Sequence, residues 1–152
     1  MSYCKLYKGT PTVGAQDGTE VSQDGAQTSP IQTLTILAGE LGTVLTCAIR
    51  IPDQLGIAYK SDTATPVTIT PYPQTGTYTK WRLSLSPSGF DTKDDTDPTA
   101  VPEWGAALSF TTTEINNANV LFYVQASAGS AETPVNDITI SMQTYAIVVA
   151  VN

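Results

Sequence analysis

Apolar and polar residues alternate with a period of two along several short segments of the chain. This pattern is typical of β-strands with one buried face. The clearest examples are residues 43–51 (TVLTCAIRI), 80–86 (KWRLSLS), 119–127 (NVLFYVQAS) and 137–144 (DITISMQT). Their apolar positions are predicted to face the interior, and the residues between them are predicted to lie on the opposite face. Arg50 and Gln125 fall on that opposite face, and Arg82 is predicted to point outward.

Five shorter segments are further strand candidates: residues 3–7, 31–38, 57–60, 67–70 and 106–112. About eight or nine strands result, with Gly, Pro, Asn and Asp clusters between them and no helical pattern of useful length. Many short half-buried strands predict an all-β domain of two antiparallel sheets packed face to face. We therefore expect one β-sandwich domain over residues 1–152, immunoglobulin-like or jelly-roll-like. The Cys–Trp–Cys order of true immunoglobulin domains is missing, because no cysteine follows Trp81.

Two segments depart from the alternating pattern. Residues 9–30 are polar and glycine-rich and repeat QDG, so they are predicted to form a long flexible loop or arm with at most one weak hairpin. The last segment, TYAIVVAVN, is apolar on both faces from Tyr145 to Val151. It is either a central strand covered on both sides or a strand that packs against another subunit.

Charge excludes several classes of partner. The net charge is −7, with 7 Lys and Arg residues against 14 Asp and Glu residues. Nucleic acid and anionic membrane surfaces require clustered basic residues, so neither is expected as a partner. Only 14% of residues are charged, so the polar surface is built mainly from threonine and other neutral side chains. Threonine prefers extended backbone, in agreement with the strand pattern.

The cysteines and the first residues indicate a cytoplasmic site of synthesis. Cys4 and Cys47 lie in separate apolar segments and do not form a CxxC motif. They are either two small buried apolar side chains or a single bridge between neighbouring strands. The start of the chain has no apolar run after a basic head, so no signal peptide is expected, and no segment approaches the length of a membrane span.

The chain lacks the residues of common catalytic sites. It contains no histidine, which removes the commonest general base and the commonest metal ligand. It has no GxSxG, no phosphate-binding glycine loop and no GxGxxG. A pair of carboxylates could still hydrolyse a glycoside, but most carboxylates here lie in loops. The sequence therefore predicts a protein that is not an enzyme and needs no cofactor.

An acidic stretch, FDTKDDTDPTAVPEW, spans residues 90–104. Counted from Asp91, its third, sixth and twelfth positions are lysine, threonine and proline, so it does not match a calcium-binding EF-hand loop. A looser calcium site built from its four carboxylates is an alternative to an ordinary solvated connection. The residues of that candidate site are Asp91, Asp94, Asp95 and Asp97.

Aromatic residues near loops are candidates for contact with a partner. Trp81 and Phe122 fall on the apolar faces and are expected in the core. Tyr72, Tyr78 and Trp104 lie near strand ends or in loops, where they would contact a glycan or a neighbouring protein. Together with Ile147, Val149 and Val151 of the last segment, they form the predicted partner-contact set. A sugar-stacking platform would also draw on Tyr59 and Tyr123.

Three stretches, KWRLSLSPSGF, WGAALSF and NVLFYVQASAGSAETPVNDITISM, resemble small β-sandwich proteins of tailed-bacteriophage virions. The resemblance covers residues 80–151 and consists of a Trp-bearing strand, an aromatic strand, a Gly/Ala turn and a Thr/Ser/Ile strand. It implies a structural virion protein, a capsid decoration or tail-associated subunit, that binds other virion proteins and is a homo-oligomer. The alternative that it implies is a carbohydrate- or receptor-binding module. It defines no binding residues to carry over.

Overall fold

The structure is a computed structural model, and it describes residues 3–22, 29, 36–37, 39–72, 80–94, 96–128 and 141–151. At residues 72 and 141 it describes the backbone only. This part of the chain contains ten strands and no helix, and so no helix long and apolar enough to cross a membrane. The strands are β1 (Lys5–Lys8), β2 (Thr19–Glu20), β3 (Leu45–Arg50), β4 (Tyr59–Ser61), β5 (Val67–Tyr72), β6 (Trp81–Ser84), β7 (Leu108–Phe110), β8 (Val120–Ala126), β9 (Ser141–Tyr145) and β10 (Val148–Ala150).

The strands form antiparallel sheets. The largest has the order β2-β1-β3-β8-β6, and a second has the order β7-β5-β9. The β10-β4 pair continues the second sheet, because Tyr145 pairs with Thr68 and Val148, three residues later, pairs with Ser61. Residues 141–150 therefore run as one nearly continuous ribbon along β5 and β4, and residues 62–66 form an insertion between those two strands.

The core lies between the two sheets. The five-stranded sheet contributes buried side chains of β1, β3, β6 and β8, and the second sheet contributes those of β5, β7 and β9. The fully buried residues include Leu6, Ile49, Val67, Ile69, Phe122, Val124 and Met142. The structure thus confirms the prediction of an all-β antiparallel fold and is consistent with a β-sandwich.

Most described positions that the alternating pattern predicts to face inward are buried or half-buried, but Leu85, also predicted to face inward, is 52% exposed because β6 ends at Ser84. Some positions of the opposite face are buried as well. Cys47, Ile49, Phe122 and Val124 are at most 1% exposed, as expected. Arg82, which was predicted to point outward, is 0% exposed. Alternation fails at Arg82 because a long loop covers the outer face of β6, an arrangement that local pattern does not encode.

Two segments considered in the sequence analysis, the polar segment 9–30 and the strand predicted at residues 31–38, lie partly outside the described residues. Of the polar segment 9–30, residues 9–22 and 29 are described, and Tyr7 and Lys8 of β1 pair with Glu20 and Thr19 of β2 to close a short hairpin. The prediction of a flexible arm over the whole segment stays a prediction. Most of the strand predicted at 31–38 also falls outside the described residues.

Candidate functional site

The acidic loop of residues 90–104 is fixed to β6 by the buried guanidinium of Arg82. Its Nη1 donates to Asp91 Oδ1 at 2.9 Å, and its Nη2 donates to the Asp91 carbonyl oxygen at 2.6 Å. Its Nε and Nη2 donate to Gln125 Oε1 of the neighbouring strand β8 at 2.9 and 2.7 Å. Gln125 Nε2 in turn donates to the Gly42 carbonyl oxygen at 3.0 Å. A buried charge is tolerated when its donors are satisfied in this way.

Trp104 completes this cluster from the far end of the loop. Its side chain is 5% exposed, and the Arg82 guanidinium carbon lies 4.4 Å from the centre of its ring. The Phe90 ring is 5.5 Å from the same carbon. Both ends of the acidic stretch therefore pack on one arginine. Trp104 re-enters the fold, so its ring is not displayed for a glycan or a neighbouring protein.

The aspartates of the loop are used to fold the loop itself. Asp94 Oδ1 accepts hydrogen bonds from Thr96 N at 3.0 Å and Thr96 Oγ1 at 2.7 Å. Asp97 Oδ1 does the same with Thr99 N at 2.8 Å and Thr99 Oγ1 at 2.7 Å. These repeated Asp-x-Thr turns direct the carboxylates to local donors.

The described part of the chain contains no group of three or more His, Cys, Asp or Glu side chains placed to hold a metal ion. Asp91, Asp94 and Asp97 do not converge there, and Asp95 lies outside the described residues. Asp91 is also occupied, since Val101 N donates to its Oδ2 at 2.7 Å and Lys93 N donates to its Oδ1 at 3.0 Å. Each of the three described carboxylates thus has local hydrogen-bond donors.

The same hydrogen bonds lower the pKa values of these acids. The hydroxyl and then the backbone amide of Thr96 lower the pKa of Asp94, and those of Thr99 lower the pKa of Asp97. At Asp91 the largest single influence, desolvation, raises the pKa, but hydrogen bonds from Arg82, Val101 and Lys93 together outweigh it and the pKa is lowered. Each carboxyl therefore favours its ionised form in the folded state.

We predict that replacing both Asp94 and Asp97 with asparagine flattens the acid limb of the stability profile. A carboxyl whose folded pKa lies below its unfolded value of about 4 stabilises the fold above that value, and this contribution is lost as pH falls through the folded pKa. Urea unfolding midpoints should show a gap between the parent chain and the variant at pH 7 that closes toward pH 2. Asp53→Asn is the control, because Asp53 lies outside this loop and accepts its hydrogen bond from the Asn117 side chain. If the difference in urea midpoint between the parent chain and the double variant stays constant from pH 7 to pH 2, the prediction is contradicted.

A second arginine fixes the hairpin between β1 and β2. Arg50 is 9% exposed, and its Nη1 donates to the Asp17 carbonyl oxygen and to Asn119 Oδ1, both at 2.7 Å. Asn119 Nδ2 donates to Asp17 Oδ1 at 2.8 Å. The Arg50 guanidinium carbon stacks 3.4 Å from the centre of the Tyr7 ring. Like the Arg82 cluster, this arrangement positions a loop.

The cysteines are buried and are not joined by a disulfide. Since Lys5 pairs with Arg50 and Tyr7 pairs with Ala48, Cys4 lies near the Ile51 end of the β1–β3 pair and Cys47 near its Lys8 end. About four residues of strand, roughly 13 Å, separate them, which is more than the ~7 Å that a bridge can span. Burial raises the pKa of each thiol to about 12, so neither has the character of a nucleophile.

The aromatic residues proposed for a sugar platform do not gather on one surface of the described structure. Trp81 is half-buried against the core, and Tyr59 packs there too, with Tyr3 tilted against it at a ring distance of 5.1 Å. Tyr123 is half-buried in β8. The side chain of Tyr72 and the whole of Tyr78 lie outside the described residues.

The last ribbon carries an exposed row of large apolar side chains, which we call the C-terminal row. It consists of Tyr145 (59% exposed), Ile147 (41%), Val149 (39%) and Val151 (47%). The alternate residues Ala146 and Val148 pack against the core. Within the described part of the chain, the ribbon is therefore covered on one face only. The row comprises the predicted contact residues Ile147, Val149 and Val151 together with Tyr145.

A tight hairpin lies beside one end of this row. Gln54 and Ile57 exchange two backbone hydrogen bonds of 2.9 Å, with Leu55 (φ 52°) and Gly56 (φ 78°) at the tip. Leu55 is fully exposed and Ile57 is 45% exposed. Val151 N donates to the Ala58 carbonyl oxygen at 2.9 Å, which brings the end of the row against this hairpin. A bulky apolar residue in the left-handed region of the backbone is uncommon, and at Leu55 no burial compensates for it.

Comparison with known proteins adds no relative: no family model, no curated protein and no solved structure matches this chain. The candidate site is therefore defined by its own geometry. Sequence pattern identified three members of the C-terminal row but missed both buried arginines. One sequence feature could have indicated that Arg82 is buried: it is an arginine in a strand that is followed by a long loop, and the loop contains both carboxylates and aromatic residues.

Proposed function

We propose that this chain is a non-enzymatic structural protein of a tailed-bacteriophage virion, a capsid decoration or tail-associated subunit that acts through protein–protein contacts. The observation that carries the contact role is the C-terminal row. Its four large apolar side chains are exposed at alternate positions along one ribbon, in a chain of net charge −7. Apolar side chains exposed singly are ordinary, but a contiguous patch marks an interaction site.

The geometry of the row supports a contact with protein. A carbohydrate site needs hydrogen-bonding groups beside its aromatic surface, whereas Ile147, Val149 and Val151 offer branched aliphatic side chains. An anionic membrane is a poor partner for a chain of net charge −7. Apolar surface with few charges is typical of the centre of a protein interface.

The two arginine clusters support a scaffolding role. Arg82 and Arg50 tie long loops to the sheets through buried hydrogen bonds, and the loop aspartates are engaged by neighbouring threonines. Polar groups that would be available to a substrate in an enzyme are used here to hold loops in place. The virion assignment itself rests on the resemblance of residues 80–151 to phage β-sandwich proteins.

Detection of the chain in purified particles tests the proposal. Antibodies raised against the recombinant chain are applied to phage particles induced from a strain that carries the gene and banded in a density gradient. We expect the chain to band with the particles and to be labelled on them by immunogold. A chain found only in the soluble lysate fraction, with the particles unlabelled, would refute the virion role.

A deletion strain complemented with variants of the chain tests the role of the C-terminal row. The Val149→Lys variant should be incorporated into particles less than the parent chain. Val13→Asp is the control and should be incorporated like the parent chain, because Val13 is 69% exposed and far from the row in sequence.

A further inference from the structure

The outer edge of β10 has hydrogen-bonding groups that no described residue uses. Asp62 N donates to the Ile147 carbonyl oxygen at 2.7 Å, and Val151 N donates to the Ala58 carbonyl oxygen at 2.9 Å, so residues 147 and 151 direct their main-chain groups toward β4. Antiparallel pairing alternates, which directs the main-chain groups of Val148 and Ala150 away from β4. The geometry of Ser61, which pairs with Val148, supports this assignment. Its N–H donates to the Ile115 carbonyl oxygen, on the side of β4 that faces away from β10.

The sequence of this edge lacks the features that normally prevent strands from pairing. Native edge strands are protected by charged side chains, proline or a bulge. Residues 141–151, SMQTYAIVVAV, contain no charged side chain and no proline. An edge that is apolar, extended and uncharged is suited to accept another strand.

We propose that β10 pairs antiparallel with β10 of a second copy of this chain, about a twofold axis that passes beside Val149. The inference rests on the proposed function, because it identifies which contact the C-terminal row makes. In this register Val148 and Ala150 of one copy bond to Ala150 and Val148 of the other, which gives four main-chain hydrogen bonds. Val149 lies opposite its own equivalent, and Ile147 lies opposite Val151 of the other copy.

Self-complementarity identifies a second copy as the occupant. An antiparallel pair of identical strands is twofold symmetric. Every facing pair in this register is apolar, and the Val149–Val149 and Ile147–Val151 pairs are β-branched on both sides, which is favourable across strands. The regular geometry of β10 covers residues 148–150, whereas Ala146 and Ile147 lie between β9 and β10. With the twofold axis at Val149, all four hydrogen bonds therefore form between residues of regular strand. With the axis at Ile147 they would involve residues outside it.

Charge also favours this edge over the rest of the surface. Two copies of a chain with net charge −7 repel each other, and the ribbon 141–151 is a segment where they approach without opposing carboxylates. Across the ribbon, the residue that pairs with Val149 is Lys60, which forms a 3.3 Å ion pair with Glu114. The two copies of Lys60 would be separated by three strand spacings, about 14 Å, which exceeds the Debye length of about 8 Å at physiological ionic strength.

The size of the contact predicts a modest affinity. A stable interface of standard size buries about 800 Å² on each partner. A short strand pair with three rows of branched side chains buries less than that, so the dimer is expected to depend on concentration. On a particle, a high local concentration would offset this weakness.

A cysteine at the twofold axis tests the register. In a non-hydrogen-bonded antiparallel pair the Cα atoms are about 4.5 Å apart, within the range that a disulfide accepts. Val149→Cys should therefore cross-link two copies under mild oxidation. Ile147→Cys is the matched control, because it would lie roughly 13 Å from its equivalent and should not cross-link. The native thiols are buried and do not compete. Cross-linking of Ile147→Cys without Val149→Cys would overturn the register.

Sedimentation velocity up to about 200 µM, where a complex with micromolar Kd is populated, tests the pairing itself. The parent chain and Val13→Asp should dimerise, and Val149→Lys and Ala150→Pro should be monomeric with unchanged circular dichroism. Proline at 150 removes an outward N–H at an edge position where proline is tolerated. A monomeric parent chain, or a dimer that survives Ala150→Pro, would overturn the inference. If the chain is monomeric but present in particles, the strand pairing is refuted and the proposed function is retained. If the chain dimerises through β10 but is absent from particles, the pairing is retained and the virion role is refuted.

Discussion

Replacing Arg82 with methionine is expected to lower the free energy of unfolding by about 3–5 kcal/mol, the range found when one partner of a buried ion pair is removed. Arg82 is 0% exposed and donates to Asp91 and Gln125 on two different segments. Methionine fills similar space but satisfies none of these acceptors, and buried acceptors without a donor are costly. Chemical denaturation followed by far-ultraviolet circular dichroism measures the loss.

Two further variants separate the geometry of Arg82 from its charge. Arg82→Lys keeps the positive charge, but a single ammonium cannot reproduce the planar fork that spans Asp91 and Gln125. We expect most of the loss to persist in Arg82→Lys. Lys5→Met removes a surface ion pair with Glu20, whose side chains are 28% and 54% exposed, and should cost about 1 kcal/mol or less. A loss for Arg82→Met no larger than that for Lys5→Met would contradict the anchoring role.

The residues show why the fold was more predictable than the site. Period-two alternation depends on local burial, so Cys47, Ile49, Phe122 and Val124 could be placed correctly from sequence. Arg82 and Gln125 are buried by a loop whose course depends on contacts with them, and no local pattern contains that information. The turns at Asp94 and Asp97 also show that local pattern is insufficient. Their carboxylates suggested a cation site, whereas in the structure they accept hydrogen bonds from Thr96 and Thr99.

The contact surface was predictable in part. An apolar run from Tyr145 to Val151 allowed two interpretations, a covered central strand or a contact with another subunit. The structure leaves one face of this run exposed in the described part of the chain, because Ala146 and Val148 turn toward the core and the alternate residues do not. The sequence places Trp104 in the same contact set because it lies in a loop. Its burial shows that position in a loop is weak evidence for exposure when the loop itself folds back onto a sheet.

Trp104→Ala is expected to cost about 3–5 kcal/mol, the range for removal of a large buried aromatic side chain, whereas Trp104→Phe should cost about 1 kcal/mol. The ring is 5% exposed and covers the Arg82 guanidinium at 4.4 Å, a face that phenylalanine retains. No described residue accepts a hydrogen bond from Trp104 Nε1, so phenylalanine removes a buried donor that is unsatisfied within the described part. This gain offsets part of the cost of the smaller ring.

Unfolding by urea, followed by circular dichroism because Trp104 itself contributes to fluorescence, measures both variants. Tryptic cleavage after Lys93 under native conditions adds a local readout, since Lys93 lies in the loop that Trp104 anchors. Cleavage should accelerate in Trp104→Ala and stay near the parent rate in Trp104→Phe. Tyr145→Ala, at a residue 59% exposed, is the control and should change stability by about 0.5 kcal/mol or less. Equal losses for the alanine and phenylalanine variants would show that the indole N–H has a partner, and unchanged cleavage in Trp104→Ala would show that the loop is held by Arg82 and Asp91 alone.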